Sequence, residues 1–100
     1  MPFVLKHRTT SQIYTCTLVN SYRLPYYGTK YWDHEEDAAA EKTAFLQSQS
    51  VGSPEEWSLF ELSDNQLKLC NVKLKNDSRL LLRWEQENQR PGVSASPSGS

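Results

Sequence analysis

Alternating apolar and polar positions dominate the chain, broken by a helical period after Trp32 and by a shorter one after Ser63. Phe3, Leu5 and His7 alternate with Val4, Lys6 and Arg8, a two-residue period that predicts a strand. Thr9–Gln12 is a polar break suited to a turn. Ile13–Leu24 is rich in Thr, Val, Ile, Leu and Tyr, residue types that suit a pleated surface. Tyr14, Cys16, Leu18, Tyr22 and Leu24 fall on one face of that run, predicted to be the core side, and a bulge is expected near Asn20–Ser21. Pro25 fixes its own φ and Gly28 tolerates a positive one, so Pro25-Tyr-Tyr-Gly28 reads as a turn. Thr29–Trp32 then returns as a short strand, which makes a hairpin with Tyr26 and Tyr27 at its tip.

The period changes after Trp32. Asp33 followed by Glu36 has the capping-box spacing, and Glu35, Glu36 and Asp37 place negative charge where a helix dipole favours it. Ala38–Ala40 are strong helix formers, and Ala38, Lys42, Phe45 and Leu46 share one side. A helix is predicted over His34–Gln47, ended by Gly52-Ser-Pro54. Trp57–Leu62 alternates again as a strand. Ser63 and Gln66 form a second capping-box pair, which predicts a short helix from Asp64 to about Cys70. Leu67/Leu69 and Val72/Leu74 also alternate, so a strand competes over 64–71, and Val72–Lys75 is predicted to be a strand. Asn76-Asp-Ser78 supplies turn chemistry, and Leu80–Trp84 returns as the last strand. From Glu87 onward the chain is mostly Gln, Asn, Pro, Gly and Ser and is expected to be a disordered tail.

These elements predict one α+β domain over residues 1–86 with a polar tail over 87–100. The architecture is a small antiparallel sheet of four to five strands, one main helix packed on one face, and a second short helix. Eleven aromatics supply bulk for a core, which argues against wholesale disorder.

Net charge is −1, so no global field attracts polyanions. The charges are nonetheless blocked. Residues 1–32 carry Lys6, Arg8, Arg23 and Lys30 and no acid; residues 33–62 carry eight acids against Lys42; residues 65–84 carry Lys68, Lys73, Lys75, Arg79 and Arg83 against Asp77. Such blocks either give two faces of opposite sign or neutralise one another across the fold.

Cys16 and Cys70 make no disulfide framework, and each reads as a small buried hydrophobe. No apolar run has the length of a signal peptide or a membrane span, so an intracellular, cytoplasmic setting with reduced thiols and no membrane partner is expected. His7 and His34 lack ligand spacing, the four glycines form no phosphate loop, and no cofactor or metal is expected. The acids at 33–37 are explained by a helix start without catalysis.

The stretch Tyr22–Trp32 stands out for its aromatic density. Tyr22, Arg23, Tyr26, Tyr27, Lys30 and Tyr31 are the candidate partner-binding residues, because Tyr and Arg bury large area at interfaces and still hydrogen-bond. The leading expectation is a non-enzymatic protein-interaction domain, an accessory subunit or small regulator with a protein partner. The alternative is a weak nucleic-acid-binding domain using Arg23, Tyr26, Tyr27, Lys30, Lys73, Lys75, Arg79 and Arg83. A third reading is an enzyme without a recognisable motif, which needs a concave pocket with convergent polar groups.

Overall fold

Val4 and Leu5 are adjacent in sequence, and both are completely buried. Successive strand residues point to opposite faces, so a strand with both buried must be covered on both sides. The computed structural model, which describes residues 1–95, shows how. Strand β1 (Phe3–His7) is the centre of a three-stranded antiparallel sheet in the order β4 (Tyr31–Trp32), β1, β5 (Trp57–Glu61). Leu5 joins one core with Trp32, Ala38, Leu46 and Trp57, built against helix α1 (Glu35–Ser48). Val4 joins a second core with Ile13, Leu62, Cys70, Leu74, Leu82 and Trp84, built against helix α2 (Asp64–Leu74).

Two antiparallel hairpins complete the α+β fold: β2 (Thr15–Val19) with β3 (Pro25–Thr29), and β6 (Leu80–Glu85) with β7 (Arg90–Ala95). The segment Ser11–Tyr14 stitches β1 to β6. The Tyr14 amide donates to the Leu5 carbonyl at 2.9 Å, the Ile13 amide to Leu82 at 2.8 Å, and the Trp84 amide to Ser11 at 2.9 Å. The single four- or five-stranded sheet expected from the sequence is therefore three small antiparallel sheets, with a helix on each side of the central one.

Several local expectations differ from the structure. The cap of α1 is His34, without a side-chain hydrogen bond, rather than Asp33. The Ala38 amide donates to the His34 carbonyl, so the first helical turn starts one residue too late for Asp33 to cap it. Helix α2 runs unbroken to Leu74, and Val72–Lys75 forms no strand. Cys70 and Leu74 are buried and Leu67 half-buried, while Leu69 and Val72 are exposed, so the helical period governs the tertiary contacts. The Ser63–Gln66 capping box forms in both directions, with the Gln66 amide 3.1 Å from Ser63 Oγ.

Strand β6 therefore finds its partner downstream, in residues assigned to the tail. Pro91 is fully buried opposite Trp84. The Trp84 amide points away from β7 toward Ser11, which makes Trp84–Pro91 a non-hydrogen-bonded pair; the missing proline N–H costs the ladder nothing. Residues 96–100, the end of the expected tail, lie outside the described residues.

The last difference concerns the first hairpin. Its turn is Asn20–Leu24, not Pro25–Gly28. Asn20 Oδ1 accepts from the Tyr22 and Leu24 amides, and Arg23 takes φ of 63°. An Asn that bonds its own downstream backbone makes a turn without glycine.

Candidate functional site

Strand β3 is held at its outer edge by side chains rather than by another strand. Asn71 Oδ1 accepts the Thr29 amide at 2.9 Å, and Asn76 Oδ1 accepts the Tyr27 amide at 2.6 Å. Both asparagines come from α2 or the turn that ends it, where Lys75 and Asn76 take positive φ. Gly28 makes the approach possible. Its φ is negative, so it serves space rather than a turn: a Cβ there would lie 2.7 Å from Tyr26 Cε2 and 3.1 Å from Asn71 Oδ1.

The alternation of β3 then separates its two tyrosines. Tyr27 points to the Val4 core, and its hydroxyl is 2.6 Å from Thr15 Oγ1. Tyr26 points the other way, beside Gly28, and is half-buried in the strand rather than placed on a tip. Tyr22 occupies the tip instead and is 82% exposed.

Tyr26 and Tyr31 together form a ridge between two clefts. The first cleft, about 420 Å³, runs toward the start of α1 and is lined by Leu18, Val19, Trp32, Asp33, Asp37 and Glu41 among others. The second, about 500 Å³, runs between the ridge and α2 and is lined by Asp64, Leu67, Lys68, Asn71 and Val72. Exposed apolar side chains line both: Val19 and Tyr31 in the first, Tyr31 and Val72 in the second.

Lys30 lines the first cleft, but its ammonium is held over aromatic rings, 4.8 Å from the Trp32 centroid and 5.0 Å from Phe45. Trp32 Nε1 donates to Glu41 Oε1 at 3.2 Å. The polar rim is thus mainly acidic, contrary to the aromatic-basic surface expected from the sequence order. Of the expected partner-binding residues, the structure brings Tyr26, Lys30 and Tyr31 together. It leaves Tyr22 and Arg23 at the hairpin tip and turns Tyr27 inward.

The basic residues of the alternative reading sit on separate elements. Arg79 is engaged by Asp77 at 3.0 Å, Lys75 caps α2, and Arg83 lines a cleft with Thr10 and Ser11 on β6–β7. Lys73 lies near Glu85 and helps to hold that carboxyl down, after the larger hydrogen bonds from Asn88 and Arg90.

The other perturbed groups stand away from the ridge. Hydrogen bonds from Arg79 hold the Asp77 carboxyl below its usual range. Burial pushes up Tyr14, and the neighbouring Cys16 and Tyr27 add to it. Burial raises the Cys16 thiol, with Lys30 opposing. Burial also pushes the Cys70 thiol up to about 12. The fully buried Thr29 hydroxyl has no hydrogen-bond partner among the described residues; it favours the Cys70 thiolate slightly, against the dominant effect of burial. Among the described residues no group of three or more His, Cys, Asp or Glu side chains is arranged to hold a metal ion, and no helix is long and apolar enough to cross a membrane.

Read as a strand residue, Val72 hides the second cleft from the sequence. The helical spacing of Lys68, Asn71 and Val72 was the available signal. Comparisons of the chain with protein-family models, curated proteins and solved structures give no match.

Proposed function

We propose that the chain is a non-enzymatic protein-interaction module that binds its partner across the Tyr26–Tyr31 ridge. The observation that carries this reading is the pairing of two adjoining clefts on one aromatic ridge, with exposed apolar side chains lining both. Tyrosines offer large contact area at low entropic cost, and a partner that fills both clefts dehydrates the ridge between them. The acidic rim favours a partner surface that carries cations. The test is capture from source lysate with nuclease present, comparing the intact chain with Tyr26→Ala/Tyr31→Ala. Loss of one defined protein with the fold retained supports the reading. A partner that both proteins retain equally removes it, and partners that vanish with nuclease transfer the assignment to nucleic acid.

A further inference from the structure

Strand β2 is the one strand among the described residues that combines an open outer edge with packing on a single neighbouring element. Strand β3 is sealed by Asn71 and Asn76. Strand β4 packs on α1, and so does β5, where Lys42 Nζ also donates to the Trp57 carbonyl at 2.7 Å. Strand β6 is bridged to Gln12 and β7 packs on α2. Strand β2 packs substantially on β3 alone.

The direction of its backbone groups follows from the register. Thr15 opposes Thr29, Thr17 opposes Tyr27, and Val19 opposes Pro25. The Thr29 and Tyr27 amides point away from β2, to the two asparagines, and Pro25 has no amide proton. These are therefore non-hydrogen-bonded pairs, so the N–H and C=O groups of Thr15, Thr17 and Val19 face outward. Among the described residues no acceptor outside β3 is bonded to those amides. The strand reads TCTLV, without the lysine or proline that commonly guards an edge.

We propose that β2 pairs with β2 of a second copy of this chain, antiparallel about a two-fold axis at Thr17. The two hairpins then form one four-stranded sheet, β3-β2-β2-β3. Thr17 faces Thr17 of the second copy, and Thr15 faces Val19 of the second copy on each side of the axis. Each of these pairs exchanges two backbone hydrogen bonds through groups that already point outward. The facing side chains are all β-branched, a favourable cross-strand class, and Val19, 65% exposed in the single chain, is covered. A second copy fits better than a foreign strand because β2 carries no charge to select a charged peptide, whereas no like charges meet when it pairs with itself. The inference rests on the β2 backbone and not on the ridge reading, although Leu18 and Val19 also line the first cleft, so the two surfaces meet at that end of β2.

Sedimentation velocity of the full chain over a wide concentration range tests the stoichiometry. Amide hydrogen exchange at Thr15, Thr17 and Val19 tests the surface. A dimer is expected, with protection of those three amides rising with concentration. Thr17→Lys, at an exposed position that the single chain tolerates, sets two ammonium groups against each other and should weaken the dimer by about tenfold or more. An equal mixture of Thr17→Lys and Thr17→Glu should restore it, because only the two-fold register places residue 17 opposite itself. Circular dichroism of each variant reports the fold; if one fails to fold, Thr17→Pro blocks the same edge by removing an outward amide. A chain monomeric at all concentrations overturns the proposal. So does a dimer unaffected by Thr17→Lys, or one whose three amides exchange as in the monomer. Protection of those amides only when another protein is added assigns the edge to a foreign strand and equally overturns it.

Discussion

Asn71 reaches from α2 to the Thr29 amide at 2.9 Å and does for β3 what a neighbouring strand would otherwise do. A buried amide that loses its acceptor keeps the full cost of desolvation. Asn71→Ala should therefore lower stability by about 1–3 kcal/mol. Asn76→Ala, whose bond to the Tyr27 amide is exposed, should cost less. Urea unfolding of both variants checks the order, and equal costs would show that burial is not what separates them.

Gly28→Ala should destabilise although glycine sits in a strand, where alanine is ordinarily the better residue. The new methyl meets the Tyr26 ring at 2.7 Å and Asn71 Oδ1 at 3.1 Å. Overpacking of this kind typically costs about 1–3 kcal/mol. The Thr29 amide should also exchange faster, since Asn71 must retreat. A neutral or stabilising outcome in thermal unfolding would mean that Tyr26 swings aside freely.

Cys70 makes stability depend on alkaline pH. Its folded value is about 12 against an ordinary 9.0, so the unfolded chain releases its proton first. The contribution is complete below about pH 9 and is lost as the pH rises toward 12. Cys16 shifts in the same direction, so the comparison belongs in a Cys16→Ser background. There, Cys70→Ala should flatten the decline in unfolding free energy above pH 9. In the native chain at pH 8, a thiol reagent should modify half-exposed Cys16 well before Cys70.

Deleting the chain from Arg90 onward should destabilise it by more than about 2 kcal/mol, since it uncovers the apolar face of β6. Pro91 then leaves Trp84, and Leu82 loses the strand opposite it. The tryptophan emission should shift to the red at temperatures where the intact chain is still folded. A deletion without effect would make β7 dispensable and restore a tail that begins at residue 87.

How much was legible in the sequence depends on how local each signal is. The run Glu35–Ala40 and the Ser63–Gln66 pair act within a turn of their own helix, and both helices begin within one residue of where these residues place them. The ends of α2 and β7 were not legible, because tertiary partners decide them. Val72 alternates with Leu74 as a strand would, yet Leu67, Cys70 and Leu74 find a common core only on a helix. Arg90–Ala95 has a tail's composition, yet Trp84 needs a cover and Pro91 provides one without spending a ladder bond. Of the ridge, Tyr26 and Tyr31 were legible as candidate contact aromatics of the first hairpin. Tyr27 could not be separated from Tyr26 while the turn was assigned to Pro25–Gly28, since a turn has no alternation to sort them.

The two buried neighbours Val4 and Leu5 carry a kinetic implication. Each belongs to a different core, and β1 obtains its long partner, β5, only from the second half of the chain. Neither half can close its own interior while that strand is unpaired. Pairings so remote in sequence slow folding, because the loop must be closed before any contact rewards it. The two helices should accordingly melt in one transition rather than two, with β1 as the shared wall through which the loss of either interior is felt by the other.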